Sequence, residues 1–303
     1  MANIITKPYT VATNPNLLDN WYFADGITVN QRGALTHSGT GYHIDRWKGG
    51  NNYGSCELTA SGLAVTGANN FHTEIQVIEN GAAILDGKTV TISALLSNGM
   101  LIKCTGKISL TDTARSLISV STPTESGMIM LSGSTSEVSF SLRALAGKTV
   151  TFVAVKLELG DCQTLAHYVQ DGSSFHFEVN EIPNYQQELA KCQWLFTRLK
   201  NIAGNYNRIG IANAYSSSVA MSLIPLPVTM RSVTPTISYS QIHLQNGTTT
   251  IAATSITFRG LSVNAAYFDI GASGLSAGAM YLVKGDYGSP LTNDGYIDIS
   301  CEL

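Results

Sequence analysis

Most of this chain consists of short runs of alternating apolar and polar residues, a pattern that forms β-strands and leaves little room for helices. Phe71 to Glu79 (FHTEIQVIE) alternates with a period of two, and Lys88 to Ser97 (KTVTISALLS) does so with β-branched residues. Further runs follow at a spacing of roughly ten residues, separated by Gly, Asn, Ser and Asp. The pattern predicts an all-β protein, with a sandwich or jelly roll over residues 16–160 after an N-terminal arm of residues 1–15.

One segment, NYQQELAKCQWLFTRL at residues 184–199, departs from this pattern. Asn184 can cap a helix, and the residues after it are good helix formers. Leu189, Cys192 and Phe196 share one helical face. The segment predicts a helix from Tyr185 to Gln193 and a strand from Trp194 to Lys200. We therefore expect a connector with a short helix over residues 161–193 and a C-terminal antiparallel β domain over residues 194–303.

The low content of charged residues limits the classes of molecule that the chain is expected to bind. Only 13% of the 303 residues are charged, about half the usual share, and the formal net charge is −3. No cluster of Lys and Arg is present to neutralise phosphates, so we expect no nucleic-acid partner. The longest apolar stretch, Ala220 to Val228, contains Ser and two prolines and is far shorter than a membrane span, so we expect no membrane insertion.

The cysteines and the N-terminus indicate where the chain is made. The first fifteen residues contain no apolar core of signal-peptide length. Five dispersed cysteines without a CxxC pair are typical of free, buried thiols in a protein synthesised in a reducing cytoplasm. They are Cys56, Cys104, Cys162, Cys192 and Cys301.

No pattern of catalytic or metal-binding residues is evident. The histidines form neither HxH nor HExxH, G-x-S-x-G does not occur, and the acidic residues are widely spread. His167 and His176 are better interpreted as polar loop residues than as metal ligands. Turn formation is likewise favoured over calcium binding for Asn14–Asn16 and for Asp19–Asn20. We expect no catalytic residue, no metal site and no cofactor.

The aromatic residues suggest a core in one place and a binding loop in another. Trp21, Tyr22, Phe23 and Trp47 are expected in the core. Near the C-terminus, the polar loop KGDYGSPLTNDG at residues 284–295 is of the kind that carries recognition, although a solvated hairpin connection is the alternative. The candidate glycan-binding residues of this loop are Asp286, Tyr287, Asn293 and Asp294.

Two segments are distinctive, ELAKCQ at residues 188–193 and PLPVTMRSVTPTIS at residues 225–238. Together with several others they resemble a family of bacteriophage tail-fibre and minor structural proteins. Asn16 to Gly33, Tyr42 to Trp47, Val155 to Gly160 and the ending GYIDISCEL fit the same order. The chain departs from the family in having Trp194 where an arginine commonly follows the Cys-Gln pair.

The resemblance implies an N-terminal jelly roll like those of carbohydrate-binding modules, a helical connector and a distal C-terminal β domain. It also implies a homotrimeric appendage on the virion, made in the host bacterial cytoplasm, that contacts the host surface and has no catalytic residues. In such a trimer, Leu189, Cys192 and Phe196 would pack against their copies. The expected partners are further copies of the chain, other virion proteins and a bacterial surface glycan or receptor.

The expected function is therefore that of a tail fibre or receptor-binding protein that adheres to host surface glycans and is not an enzyme. Two alternatives remain open at this point. One is an architectural baseplate, collar or capsid-decoration protein without a ligand, and the other is a polysaccharide depolymerase.

Overall fold

The computed structural model describes residues 13–172, 174–200, 208–285 and 295–302. Almost every regular element in these residues is a β-strand, which confirms the prediction of an all-β protein. The Cα positions divide the chain into two compact units, residues 1–188 and residues 189–303. Neither helix among the described residues combines the length and apolar character needed to cross a bilayer.

The first unit contains one short helix, α1 (Gly81–Leu85), and fourteen strands among its described residues. The strands are β1 (Thr36–Ser38), β2 (Gly41–Ile44), β3 (Trp47–Gly49), β4 (Gly54–Thr59), β5 (Gly62–Gly67), β6 (His72–Val77), β7 (Thr89–Leu96), β8 (Leu101–Lys107), β9 (Arg115–Ser121), β10 (Gly127–Gly133), β11 (Val138–Ala144), β12 (Thr149–Leu159), β13 (Ala166–Asp171) and β14 (Ser174–Val179).

Twelve of these strands form two six-stranded sheets that share one hydrophobic core, as in a β-sandwich. The first sheet has the order β1-β4-β5-β12-β7-β8, and the second has the order β2-β3-β6-β11-β10-β9. Their strands pair antiparallel. Trp47 and Phe140 of the second sheet and Phe152 of the first lie in the same core cluster. Trp21, Tyr22 and Phe23 are buried in it as well, as the sequence predicts.

Strand β12 is buried on both faces, which departs from simple alternation. Lys156 and Glu158 lie on its outer face and are almost fully buried. Lys156 Nζ donates to Thr164 Oγ1 at 2.9 Å, and that hydroxyl donates to Glu158 Oε2 at 2.6 Å. Thr164 N donates to the other carboxylate oxygen, Oε1, at 2.8 Å. The segment after β12 therefore covers this face and satisfies the charged groups buried beneath it.

The N-terminal segment runs beside β12 and is fixed there by asparagines. Asn16 Oδ1 accepts from Leu157 N at 3.1 Å, and its amide donates to Val155 O at 2.9 Å. Phe23 N donates to Val153 O at 2.8 Å. Asn14–Asn16 and Asp19–Asn20 thus use their polar groups to hold the protein's own backbone and side chains.

Asn20 is the most highly connected residue of this segment. Its side-chain amide donates to Val29 O and to Asp45 O, each at 2.8 Å, and its Oδ1 accepts from Val29 N at 2.8 Å. Its backbone carbonyl accepts from Trp47 Nε1 at 3.0 Å, and its backbone N–H donates to Glu188 Oε2 at 2.7 Å. Asn20 has a φ of 51°, a left-handed conformation that Asn tolerates better than most residues.

The helix α2 (Tyr185–Leu195) begins as the sequence predicts. Asn184 Oδ1 accepts from the backbone N–H of Gln186 at 3.0 Å and of Gln187 at 3.2 Å, so Asn184 is the cap. The helix is two residues longer than expected, and the following strand starts at Phe196. The division between the two units falls inside this helix, between Glu188 and Leu189.

The segment 161–193, expected to be a connector, contains more than a helix. Strands β13 and β14 form an antiparallel hairpin within it. Leu165 and Ala166 are buried in the core of the first unit, and Phe177 and Val179 pack against that core. This part of the segment therefore belongs to the first unit.

The second unit has ten strands among its described residues, and all of their pairs are antiparallel. A three-stranded sheet has the order β15-β24-β18, and a seven-stranded sheet has the order β20-β19-β23-β16-β17-β22-β21. The strands are β15 (Phe196–Lys200), β16 (Gly210–Ala214), β17 (Val219–Pro225), β18 (Thr236–Ser240), β19 (Ile242–Asn246), β20 (Thr249–Ala252), β21 (Ser255–Ser262), β22 (Ala265–Gly271), β23 (Met280–Gly285) and β24 (Tyr296–Ser300).

We predict that Asn20→Ala lowers the free energy of unfolding by about 3–5 kcal/mol, because it leaves buried polar groups unpaired and places Ala in a left-handed conformation. Urea denaturation measures the change. The matched control is Asn52→Ala at an exposed position, which should change stability by less than about 0.5 kcal/mol. Equal effects of the two substitutions would contradict the role assigned to Asn20.

A second prediction concerns alkaline pH. Tyr22 is buried and its hydroxyl donates to Asp25 Oδ2 at 2.6 Å; burial and this neighbouring carboxylate raise the pKa of Tyr22 to about 12. The folded state keeps this proton where the unfolded state, with a pKa near 10, loses it, so stability is lost as pH rises above about 10. Between about pH 9 and about pH 11, the free energy of unfolding of wild type should fall by about 1 kcal/mol more than that of Tyr22→Phe. Urea denaturation at each pH measures the two free energies of unfolding, and parallel pH profiles of wild type and Tyr22→Phe would refute this prediction.

Candidate functional site

The four glycan-binding residues predicted from the sequence cannot be placed. Asp286, Tyr287, Asn293 and Asp294 all lie outside the described residues, within 286–294. Their role in binding a glycan stays a prediction.

The three residues expected between copies of the chain are placed on α2 and at the start of β15. Cys192 and Phe196 are buried within the single chain, with 0% and 2% of their surface exposed. Leu189 is partly exposed. Packing of Cys192 and Phe196 against copies is therefore at odds with their burial, because these side chains have almost no surface to offer. Leu189 keeps some.

The first unit contains a buried cluster of potential metal ligands, formed by His43 on β2, Cys56 on β4 and Glu74 on β6. One ligand atom of each residue lies within 4.8 Å of the others. His43 Nε2 is 2.6 Å from Cys56 Sγ and 3.4 Å from Glu74 Oε2. We call these three residues the His–Cys–Glu cluster. The strands that carry His43 and Glu74 belong to the second sheet, and the strand that carries Cys56 belongs to the first, so the cluster lies where the sheets meet.

A further histidine fixes the carboxylate of the cluster. His72 Nε2 is 2.7 Å from Glu74 Oε1, and His72 Nδ1 is 3.0 Å from Asn51 Oδ1. Asn51 is itself oriented, since its amide donates to Phe71 O and its Oδ1 accepts from Tyr53 N. Both ring nitrogens of His72 therefore face oxygens that accept hydrogen bonds.

The position of His72 depends on close packing against the backbone of Gly54. A Cβ at position 54 would lie 2.6 Å from the Cβ of His72 and 2.0 Å from Thr66 O, so only glycine fits at Gly54. On the other side of the cluster, the ring of His37 stacks on that of His43, with centroids 4.6 Å apart and planes 3° from parallel.

Burial controls the protonation of the cluster. It lowers the pKa of His43, although the charge of Glu74 acts in the opposite direction. Burial, followed by the charge of Glu74, raises the pKa of the Cys56 thiol. Both shifts favour the uncharged forms of His43 and Cys56.

Fixed local spacings of histidines do not reveal this cluster, so it was not predicted from the sequence. The available signal was His72-Thr73-Glu74 at the start of a strand, where residues two apart point to the same face. His43 and Cys56 join them only through the pairing of β2, β3 and β6 and the position of β4 in the other sheet. By contrast, His167 and His176, once weighed as a metal pair, have separate partners in Asn180 and Glu178.

The second unit presents an apolar surface on the seven-stranded sheet. Strand pairing places Ile211 opposite Leu282 and Leu223 opposite Tyr267, all on the sheet face that points away from the unit's core. Leu223 is 61% exposed and Ile211 is 54% exposed. We define the outer apolar face by five exposed side chains: Ile211, Met221, Leu223, Met280 and Leu282; the polar Asn213 lies among them, opposite Met221 and Met280.

An exposed aromatic pair lies on the hairpin of β13 and β14. The rings of Tyr168 and Phe175 are stacked with centroids 5.4 Å apart and planes 12° from parallel, and more than half of each side chain is exposed. Phe177 supports Tyr168 in an edge-to-face contact at 5.5 Å. The pair offers a flat, apolar surface outside the C-terminal loop for which the sequence predicts glycan binding.

Comparison with models of protein families, with curated proteins and with solved structures found no match to this chain.

Proposed function

We propose that the protein is a non-enzymatic structural protein of a bacteriophage particle, a homotrimeric tail fibre or receptor-binding protein that adheres to glycans on the host surface. The sequence resemblance described above supports its assignment to a virion. The outer apolar face supports assembly and is the observation that carries the proposal.

We also propose that the first unit is a jelly roll. The chain passes from one six-stranded sheet to the other after β1, β3, β5, β6, β8 and β11. Such repeated crossing between two antiparallel sheets supports jelly-roll topology over a simple meander, in which consecutive strands stay in one sheet.

The outer apolar face needs a partner that covers it. Soluble monomers rarely expose contiguous apolar patches of more than a few hundred Å², and larger patches mark interaction sites. One charged pair lies on the same side of the sheet: Asp269, opposite Met221, accepts from Arg259 Nε at 2.7 Å, so the pair adds little net charge. A surface with little net charge and apolar residues from three adjacent strands is suited to another copy of itself, which presents the same chemistry.

A trimer would make weak glycan binding effective. Three modest sites on one particle gain avidity through effective concentration, without a strong single site. Among the described residues, the stacked Tyr168 and Phe175 best fit the apolar C–H face of a sugar ring. They are a second candidate glycan contact, besides the loop of residues 286–294.

We predict that Leu223→Asp disrupts the trimer. Burying a leucine stabilises an interface by about 1.5–3 kcal/mol, whereas burying an unpaired carboxylate opposes assembly. Multi-angle light scattering of the full chain should give three chain masses for wild type and one for the variant.

The matched control is Val263→Asp, because Val263 is 71% exposed in the turn between β21 and β22, outside the outer apolar face. This variant should remain trimeric, and circular dichroism should show both variants folded. A monomeric wild type, or a folded Leu223→Asp trimer, would overturn the proposed interface.

We predict that the wild-type protein binds an array of purified bacterial lipopolysaccharides and capsular polysaccharides, and that Tyr168→Ala with Phe175→Ala weakens this binding at least tenfold. Tyr53→Ala, which removes another half-exposed aromatic ring, is the control and should bind like wild type. The bound polysaccharides should keep their chain length. Shortened polymer would support a depolymerase, and a trimer without binding would support a purely architectural role.

A further inference from the structure

We propose that His43, Cys56 and Glu74 together bind one divalent transition-metal ion of the zinc class. The site would be structural, and it does not depend on the proposed function of the protein.

The donor set fits this class of metal. Imidazole nitrogen, thiolate sulfur and carboxylate oxygen are the three kinds of ligand that zinc uses in proteins. One thiolate and one carboxylate neutralise a divalent cation, so the loaded site leaves no net charge among its ligands in the interior. The proton of the Cys56 thiol would pass to solvent as the metal–sulfur bond forms. All three side chains are more than nine-tenths buried.

The separation of the His43 and Glu74 ligand atoms fits a tetrahedral site, and Cys56 would have to shift. With metal–ligand distances of about 2.0–2.3 Å, ligand atoms should lie about 3.3 Å apart for nitrogen and oxygen and about 3.6 Å apart for nitrogen and sulfur. His43 Nε2 and Glu74 Oε2 are 3.4 Å apart. Cys56 Sγ lies 2.6 Å from His43 Nε2, so metal binding would move the sulfur by about 1 Å. Three protein ligands leave a fourth position for a water molecule.

An unpaired oxygen provides an independent indication of a ligand. Glu74 is fully buried, and its Oε2 has no partner at ordinary hydrogen-bond geometry; the polar groups that face this carboxylate inside the cluster are the Cys56 thiol and His43 Nε2, the latter 3.4 Å from Oε2. A buried carboxylate oxygen without a partner is costly. The same oxygen points into the cluster, towards His43 Nε2.

The remaining contacts of Glu74 match the surroundings of a metal-bound carboxylate. Its Oε1 lies within hydrogen-bonding distance of His72 Nε2, and His72 is oriented by Asn51. Metal-ligating carboxylates are commonly held by such outer partners, which orient the ligand atom. His72 is therefore a positioning residue, and Glu74 Oε2 is the ligand.

A metal here would join the two sheets. Cys56 belongs to the first sheet, and His43 and Glu74 belong to the second. All five cysteines are free, so no disulfide performs this task. The ion would link strands that are separate in sequence and would stabilise the edge of the sandwich.

The experiment uses the untagged full-length protein, since a polyhistidine tag would bind metal itself. Elemental analysis of protein purified from zinc-supplemented cells should find about one zinc ion per chain. Removal with a chelator and titration with Co²⁺ should produce the near-ultraviolet absorption of a thiolate–cobalt bond. Adding Zn²⁺ to a free concentration about a hundredfold above Kd should raise Tm by about 5–10 °C.

Isosteric variants assign the ligands. Cys56→Ser should abolish the thiolate–cobalt absorption, Glu74→Gln should weaken binding more than tenfold, and His72→Gln should weaken it about 10–100-fold. Cys162→Ser, at an exposed cysteine, should keep the absorption and the affinity of wild type. Circular dichroism checks that each variant is folded.

Three results would overturn the proposal. These are wild-type protein without stoichiometric zinc and without the cobalt absorption, a Tm that added Zn²⁺ does not change, and absorption that disappears in Cys162→Ser but persists in Cys56→Ser.

Discussion

The first unit depends on the buried hydrogen bonds of Asn20. This one residue joins the N-terminal segment to the loop at Val29, to the turn at Asp45, to the core residue Trp47 and to Glu188. Apolar side chains alone would bury the same surface but would not determine which loop lies beside which strand. Each of these hydrogen bonds is made in the interior, where leaving a donor or acceptor unpaired is costly, so alternative arrangements are penalised.

The same principle recurs through a chain with few charged residues. Several of them are inside: Lys156 and Glu158 meet at Thr164, and Asp45 accepts from Arg32 at 2.7 Å. Burial raises the pKa of Asp45, while Arg32 and Gln31 act to lower it. The His–Cys–Glu cluster differs from these groups because one of its oxygens, Glu74 Oε2, has no partner at ordinary hydrogen-bond geometry. That difference, together with the three kinds of ligand atom that meet there, supports the metal site proposed for the cluster.

The second unit shows the opposite arrangement, with apolar residues on the outside. The seven-stranded sheet buries Phe268 and Ile270 on one face and exposes Leu223 and Ile211 on the other. Large apolar side chains on both faces of a sheet favour a partner that covers the outer one, which supports the assembly proposed for this unit.

The sequence by itself determined the β class, the position and cap of the helix at Asn184, and the burial of Trp21, Tyr22, Phe23 and Trp47. These features follow from local periodicity, turn residues and side-chain size, which act over a few neighbouring residues. The hairpin of β13 and β14 went unpredicted, although Phe175, Phe177 and Val179 alternate with polar residues along β14. The meeting of His43 with Cys56 and Glu74, the contacts of Asn20 and the outer apolar face were decided only by tertiary structure. Each depends on which distant strands become neighbours and which face each strand turns inward, and local propensity does not specify either.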